Sequence, residues 1–180
     1  MIKVGKYTYG TDNLRIKSWG QSIDIEIGSF CSIAGNITIY VGGTHNTNWV
    51  TTFPFGHIHQ EIFNKFDGVG HPKEAKNLII GNDVWIGADS SILSGITIGD
   101  GAAIAANSHV VKSIPPYTIV GGNPAKYVAQ RFDYSIVQKL LQLKWWNLPD
   151  NIINELSPFL CSSKISGLFK EAERLNLMGG

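Results

Sequence analysis

Five histidines carry most of the chemistry this chain can offer, and four of them fall in one stretch: His45, His57, His59 and His71. His45 follows Gly42-Gly43 and sits among Thr44, Asn46, Thr47 and Asn48. A histidine in polar surroundings titrates near neutral pH and can take a proton from a hydroxyl or an amine and return it. It needs a carbonyl or carboxylate on its other ring nitrogen, and the sequence does not name one. His45 is therefore the first candidate base, with a hydrogen-bonded loop histidine as the plain alternative. His57-x-His59, completed by His71 or His45, could supply zinc ligands, because catalytic zinc wants three protein ligands and an open position; polar loop histidines are the preferred reading of this group. His109 interrupts small residues before an apolar one and reads as surface or inter-subunit. Phe53-Pro54-Phe55 is a stiff apolar segment fit to line a pocket or to anchor the loop. Trp85 stands outside the loop, directly before Ile86. Lys126, near Pro124, is a possible phosphate contact. Asn82, Asp83 and Asp89 read as corner residues without chemistry.

The elements that must hold these groups show a strict period. Isoleucine recurs at 80, 86, 92, 98 and 104, with valine at 110. Glycine directly follows at 81, 87 and 99, and the positions two before each are apolar or small. A helix repeats at 3.6 and a plain strand at 2, so neither gives six. A coil with three flat faces does, and a hexapeptide period reads as a parallel β-helix. Eighteen residues close one coil, which stacks Ile80 over Ile98, Ile86 over Ile104 and Ile92 over Val110. Ile27, Ile33 and Ile39 keep the same period, and residues 1–24 read as an irregular first coil. Trp85, one place before an inward residue, must then face out.

The period breaks from about 41 to 77, a stretch too long for an ordinary connection and too aromatic for a disordered linker. Such insertions in compact domains are usually functional. Pro115-Pro116 and Gly121-Gly122-Asn123-Pro124 end the repeats. After Ala125 the spacing becomes helical: Phe132, Ile136, Leu140 and Leu143 form one stripe. Asp150 could cap a second helix ended by Pro158, and a third falls near 166–177. The expected fold is mainly β: a β-helix domain over 1–125 with the inserted loop, then a C-terminal α-helical segment over 126–180.

With 43% hydrophobic and 16% charged residues the chain is a folded domain, and its net charge of +1 gives no bulk attraction to nucleic acid or membrane. Cys31 and Cys161 are too far apart for a metal motif and fit a reduced setting. Cys31 lies within a repeat, where a small residue packs well, so it is not expected to act as a nucleophile. Residues 1–20 lack the long apolar core of a signal peptide, and no stretch has the length of a membrane span. A cytoplasmic location is expected.

Several segments together resemble the hexapeptide-repeat acyltransferases, in particular their xenobiotic and sugar acetyltransferase branch. They are Ile27-Gly-Ser-Phe-Cys-Ser-Ile33, Gly43-Thr-His-Asn46, Thr52-Phe-Pro-Phe55, Ile80-Gly-Asn-Asp-Val-Trp-Ile-Gly87, Ile98-Gly-Asp-Gly101 and Val120-Gly-Gly-Asn-Pro-Ala-Lys126. The resemblance covers roughly 4–145. It implies a left-handed coil, a handedness that the period of six does not set. It also implies a homotrimer with sites between subunits and acetyl-CoA as acyl donor, with no metal. His45 would be the base. Trp85 would lie beside the pantetheine arm, with backbone amides around Gly87 and Ala105 on the donor's amides or thioester carbonyl, and Pro124 and Lys126 near the adenine and phosphates. Asn46, Trp49, Phe53 and Phe55 would meet the acceptor. Asn46 stands where family members often have arginine, a change that bears on acceptor preference. The loop has few fixed charges and no evident extended apolar pocket. A sugar or nucleotide-linked sugar, as in polysaccharide biosynthesis, therefore ranks ahead of a chloramphenicol- or streptogramin-type acceptor. A γ-type carbonic anhydrase and a non-catalytic β-helix scaffold are the rivals from other classes.

Overall fold

The computed structural model describes residues 1–178. Short strands follow one another as β1 (Ile2–Val4), β2 (Leu14–Ser18), β3 (Ile25–Ile27), β4 (Ser32–Ile33), β5 (Ile37–Val41), β6 (Leu78–Ile80), β7 (Trp85–Ile86), β8 (Ser91–Leu93), β9 (Thr97–Ile98), β10 (Ala103–Ile104), β11 (His109–Val110), β12 (Thr118–Gly121) and β13 (Lys126–Gln130). They form three sheets, β1-β3-β6-β9, β4-β7-β10-β12-β13 and β2-β5-β8-β11. From β2 to β11 each strand passes to the next sheet, and each strand from β2 to β8 is paired, in parallel, by the strand one coil later. This is the parallel β-helix that the period of six demands.

The register puts the repeat residues in columns. Val4, Ile27, Ile80 and Ile98 align on one face, Ile33, Ile86, Ile104 and Val120 on the second, and Ile16, Ile39, Ile92 and Val110 on the third. From Ile27 onward these side chains are buried, and the irregular first coil leaves Val4 and Ile16 exposed at the end of the stack. The positions two residues earlier fill the space between the columns. Cys31, Val84 and Ala102 are fully buried there. Ser90 and Ser108 are buried too, and both hydroxyls donate to the Ala105 carbonyl, at 3.1 and 2.6 Å. Their polarity is therefore satisfied within the core.

The glycines after the inward residues have a steric reason. A Cβ on Gly28 would lie 2.5 Å from the Gly81 carbonyl oxygen, and one on Gly99 would lie 2.5 Å from the Pro116 nitrogen. Successive coils touch backbone to backbone at that corner, and only glycine fits. Another corner takes Asn36, Asp89 and Asn107, all in the left-handed region that Asn and Asp tolerate best after glycine.

Cys31 has 0% exposure, its Sγ points at the Gly81 carbonyl, and burial pushes its thiol above the ordinary value. Cys161 is exposed. A maleimide is expected to label one thiol per native chain at pH 7–8 and two after denaturation; mass spectrometry of labelled Cys31 from native protein would contradict this packing.

The chain divides into a unit of Met1–Ala129 and a second from Gln130 onward. The second holds α1 (Tyr134–Leu143), α2 (Asp150–Leu160) and α3 (Ile165–Arg174). Two local expectations change. Residues from Lys126 to Gln130 form a strand before helical spacing takes over; Tyr127 and Val128 are strand formers but exposed, so no burial pattern marked them. Pro158 lies inside α2 rather than ending it, and Asp150 is its first residue, with Pro149 at the N-cap. Proline cannot donate to the Asn154 carbonyl four residues back, but the Ser157 hydroxyl does so, at 2.8 Å.

Candidate active site

The stack opens after β5. Gly42 and Gly43 are both left-handed, with φ of 68° and 69°, and turn the chain outward. A Cβ on Gly43 would also strike the Trp19 ring, 2.7 Å away. The excursion is tied back to the stack at its far end. The Lys73 amide donates to the Thr44 carbonyl at 2.9 Å, and the Gln21 side chain bridges the Lys73 carbonyl and the Ala75 amide. His45 thus stands where the insertion leaves and returns.

His45 is exposed, and its Nδ1 lies 2.6 Å from the Thr52 carbonyl oxygen. A carbonyl only accepts, so Nδ1 carries a proton, and in the neutral ring Nε2 is the nitrogen with the lone pair. This is the orienting group that residue types alone left open. Beside His45 stands His71, edge to face, with ring centroids 4.6 Å apart at 82°. Trp49 packs on His71 at 5.9 Å, and His57 Nε2 donates to the His71 carbonyl. His59 pairs instead with Glu61. Among the described residues no three His, Cys, Asp or Glu gather as metal ligands, so the zinc set drawn from His57, His59 and His71 is not assembled within this chain.

Trp49, Val50, Thr51, Phe53, Phe55 and Phe66 line an apolar cavity of about 360 Å³. Phe53 packs on Phe55 at 4.7 Å with the rings tilted by 59°, and Trp49 meets Phe66 edge-on at 5.7 Å. Thr51 and Phe53 flank Thr52, so the cavity wall and the carbonyl that holds His45 are one stretch of backbone. A larger groove of about 540 Å³, bounded by Lys3, Glu26, Ile79 and Asp100, shares no residue with the loop and is lined by no histidine. Asn46 Oδ1 accepts from the Asn48 amide, so part of that side chain serves the loop's own turn.

The cofactor candidates sit apart from the loop, on the sheet β4-β7-β10-β12-β13. Trp85 is 54% exposed on β7, in line with Ser32, Ala103 and Ile119. The exposed indole offers a face for a thin apolar chain, and Ala103 beside it is buried, at 8% exposure. Lys126 opens β13 on the same sheet and is exposed, two residues after Pro124. Around Gly87 and Ala105, the Gly87 N–H donates to the Ile104 carbonyl and the Ala105 N–H to the Val120 carbonyl, so these two N–H groups serve the coil. A Cβ on Gly87 would lie 2.5 Å from the Ala106 nitrogen, which explains that glycine by packing.

Thr52, Val50, Thr51 and Phe66 were not singled out from residue types, and His71 was weighed only as a metal ligand. Thr52 acts through its main chain, which no side-chain pattern announces. Phe66 carried a signal, an apolar aromatic in an aperiodic polar loop, but nothing tied it to Phe53.

Residues 77–112 match the bacterial transferase hexapeptide (six repeats) family model. The chain is 39% identical over 183 residues to a chloramphenicol acetyltransferase of Escherichia coli, spanning 94% of this chain and 86% of that one. It is 38% identical over 185 residues to a virginiamycin A acetyltransferase of Staphylococcus aureus, spanning 97% and 84%. Among solved structures, a hexapeptide-repeat containing acetyltransferase of Vibrio cholerae superposes with a TM-score of 0.52 at 26% identity, over 73% of this chain and 64% of that one, slightly under two thirds of its length. The repeats, the coil they build and this kinship agree: the chain belongs to the hexapeptide-repeat acetyltransferases and is an acetyl-CoA-dependent acyltransferase.

Proposed function

We propose that this enzyme acetylates a hydroxyl group of an apolar, aromatic-bearing xenobiotic of the chloramphenicol or streptogramin type. The apolar cavity of Trp49, Val50, Thr51, Phe53, Phe55 and Phe66, joined through Thr52 to His45, carries the reading. That cavity removes the ground for ranking a sugar first, which was the lack of an extended apolar pocket. The chloramphenicol and virginiamycin A acetyltransferases named above favour the same order.

In this reading His45 Nε2 takes the proton of the acceptor hydroxyl while the Thr52 carbonyl holds Nδ1–H. The hydroxyl oxygen bonds to the thioester carbonyl carbon, the carbon–sulfur bond breaks, and the leaving thiolate receives the proton from His45. The acetyl group goes directly from donor to acceptor, and Cys31, buried in the core, takes no part. Acetyl-CoA, as substrate, lies along the sheet with Trp85 and Ala103 beside its pantetheine arm and Lys126 near its phosphates. Asn46 closes the polar side of the acceptor site.

The test is thiol release from acetyl-CoA with chloramphenicol, a streptogramin, free hexoses and nucleotide-linked amino sugars as acceptors. Turnover is expected with an antibiotic acceptor, and Phe53→Ser should raise its KM about tenfold, the effect of losing roughly 1.4 kcal/mol of apolar contact. Turnover with sugars alone would reject the acceptor class and leave the enzyme class standing.

The working form is a homotrimer, with each site completed by a neighbouring subunit. The outward apolar residues Trp85 and Ile79, at 54% and 44% exposure, support an oligomer. Sedimentation equilibrium should give three times 19.7 kDa; a monomer at micromolar concentration would exclude it.

A further inference from the structure

His71 is the most deeply placed polar side chain of the inserted loop, at 4% exposure. Both of its ring nitrogens are buried and have no hydrogen-bond partner among the described residues. Its backbone is fully engaged: the amide donates to the Gly68 carbonyl, and the carbonyl accepts from His57. The main chain is thus fixed, while the ring meets His45 at 4.6 Å, Trp49 at 5.9 Å and His57 at 6.2 Å. Gly70 has no side chain to spoil this: a Cβ there would press on Trp49 at 3.2 Å.

His45 needs two constraints to present Nε2 in one direction. The Thr52 carbonyl fixes one end of the ring but leaves it free to rock about that hydrogen bond. An edge-to-face partner blocks the rocking. We propose that His71 is a positioning residue for His45, and that it acts through the bulk and flat shape of its ring rather than through its nitrogens. The inference rests on His45 being the base.

A buried polar atom without a partner destabilises a fold. Phenylalanine has the same flat ring without those nitrogens, so His71→Phe should keep the wall and raise Tm by about 2–4 °C. His71→Ala removes the wall. Small misplacements of a catalytic group can cost about a hundredfold. The expected loss in kcat is about 10- to 100-fold, with the KM for acetyl-CoA unchanged.

The experiment measures kcat, the KM for acetyl-CoA and Tm for His71→Ala, His71→Phe and His71→Gln, and for His71→Ala in a His45→Ala background. Phenylalanine is expected to recover most of the kcat that alanine loses, and glutamine is not. In the His45→Ala background the second substitution should cost nothing further, because a residue that acts through another has no effect once that residue is gone. Recovery by glutamine but not by phenylalanine would show that the ring nitrogens are used and overturn the proposal. So would a full additional loss in the double variant, or an undiminished kcat in His71→Ala. If alanine prevents folding, the contrast between phenylalanine and glutamine decides alone. Failure of the base assignment itself is visible separately, as an undiminished kcat in the single His45→Ala variant.

Discussion

Replacing His45 with alanine is expected to lower kcat about 10²- to 10⁴-fold, the usual contribution of a positioned general base. That corresponds to roughly 3–5 kcal/mol of transition-state stabilisation. The KM for acetyl-CoA should change little, because Trp85, Ala103 and Lys126 lie on a sheet of the coil while His45 lies in the loop. Fold stability should change little as well. The ring is exposed, and the loop's return is held by other bonds, Lys73 to Thr44 and Gln21 to Lys73 and Ala75. His45→Gln is the sharper comparison. Glutamine can donate to the Thr52 carbonyl and so keep the local hydrogen bond, but it cannot accept and release a proton at neutral pH. It should therefore be as slow as alanine. A glutamine variant that retains wild-type kcat would show that the side chain positions the acceptor by hydrogen bonding and does not carry the proton. An alanine variant with unchanged kcat would remove His45 from the reaction altogether.

What the sequence discloses follows from how each feature is encoded. The coil repeats one steric problem, a bulky aliphatic inward and a glycine where backbones meet, so every turn writes the same residues at the same spacing. That is why the pairing of Ile80 with Ile98 and of Ile86 with Ile104 could be stated from the period alone. The inserted loop repeats nothing. His45 was legible because its residue type is chemically rare and lies at the break in the period. Its partner, the Thr52 carbonyl, belongs to the main chain and would be there whatever residue occupied 52. The apolar cavity joins Trp49 and Phe66, and only the folded path of the loop shows that they meet. The acceptor ranking turned on this point, and the pocket and the relatives back the antibiotic-type alternative better than the sugar: an apolar pocket made of dispersed aromatics has no period to announce it. Gly87 gives the opposite lesson. Its place in a familiar segment invited a binding role, and only the folded coil shows a packing reason for the same residue: the coil uses its N–H and the space where a side chain would stand.

The division of labour between stack and loop makes a second large effect predictable. Ile86 has 0% exposure and sits between Ile33 and Ile104 in the same inward column. Ile86→Ala would leave a cavity bounded above and below by coils whose spacing is set by strand hydrogen bonds, so the hole cannot close by a side-chain shift. A cost of about 2–5 kcal/mol is expected, a large share of the roughly 5–15 kcal/mol by which a domain is stable. Tm should fall by about 5–20 °C. In a solenoid each coil contacts mainly its neighbours, so a defect in a middle coil weakens both interfaces at once. Glu26→Ala is the matched control: Glu26 lies between the inward Ile25 and Ile27 but points out, in an exposed pair with Lys3 at 3.5 Å, and such pairs contribute at most about 1 kcal/mol. Thermal and urea melts of the two variants should differ widely. If they fell together, the assignment of inward and outward faces would be wrong, and with it the support the coil gives to the loop that carries His45.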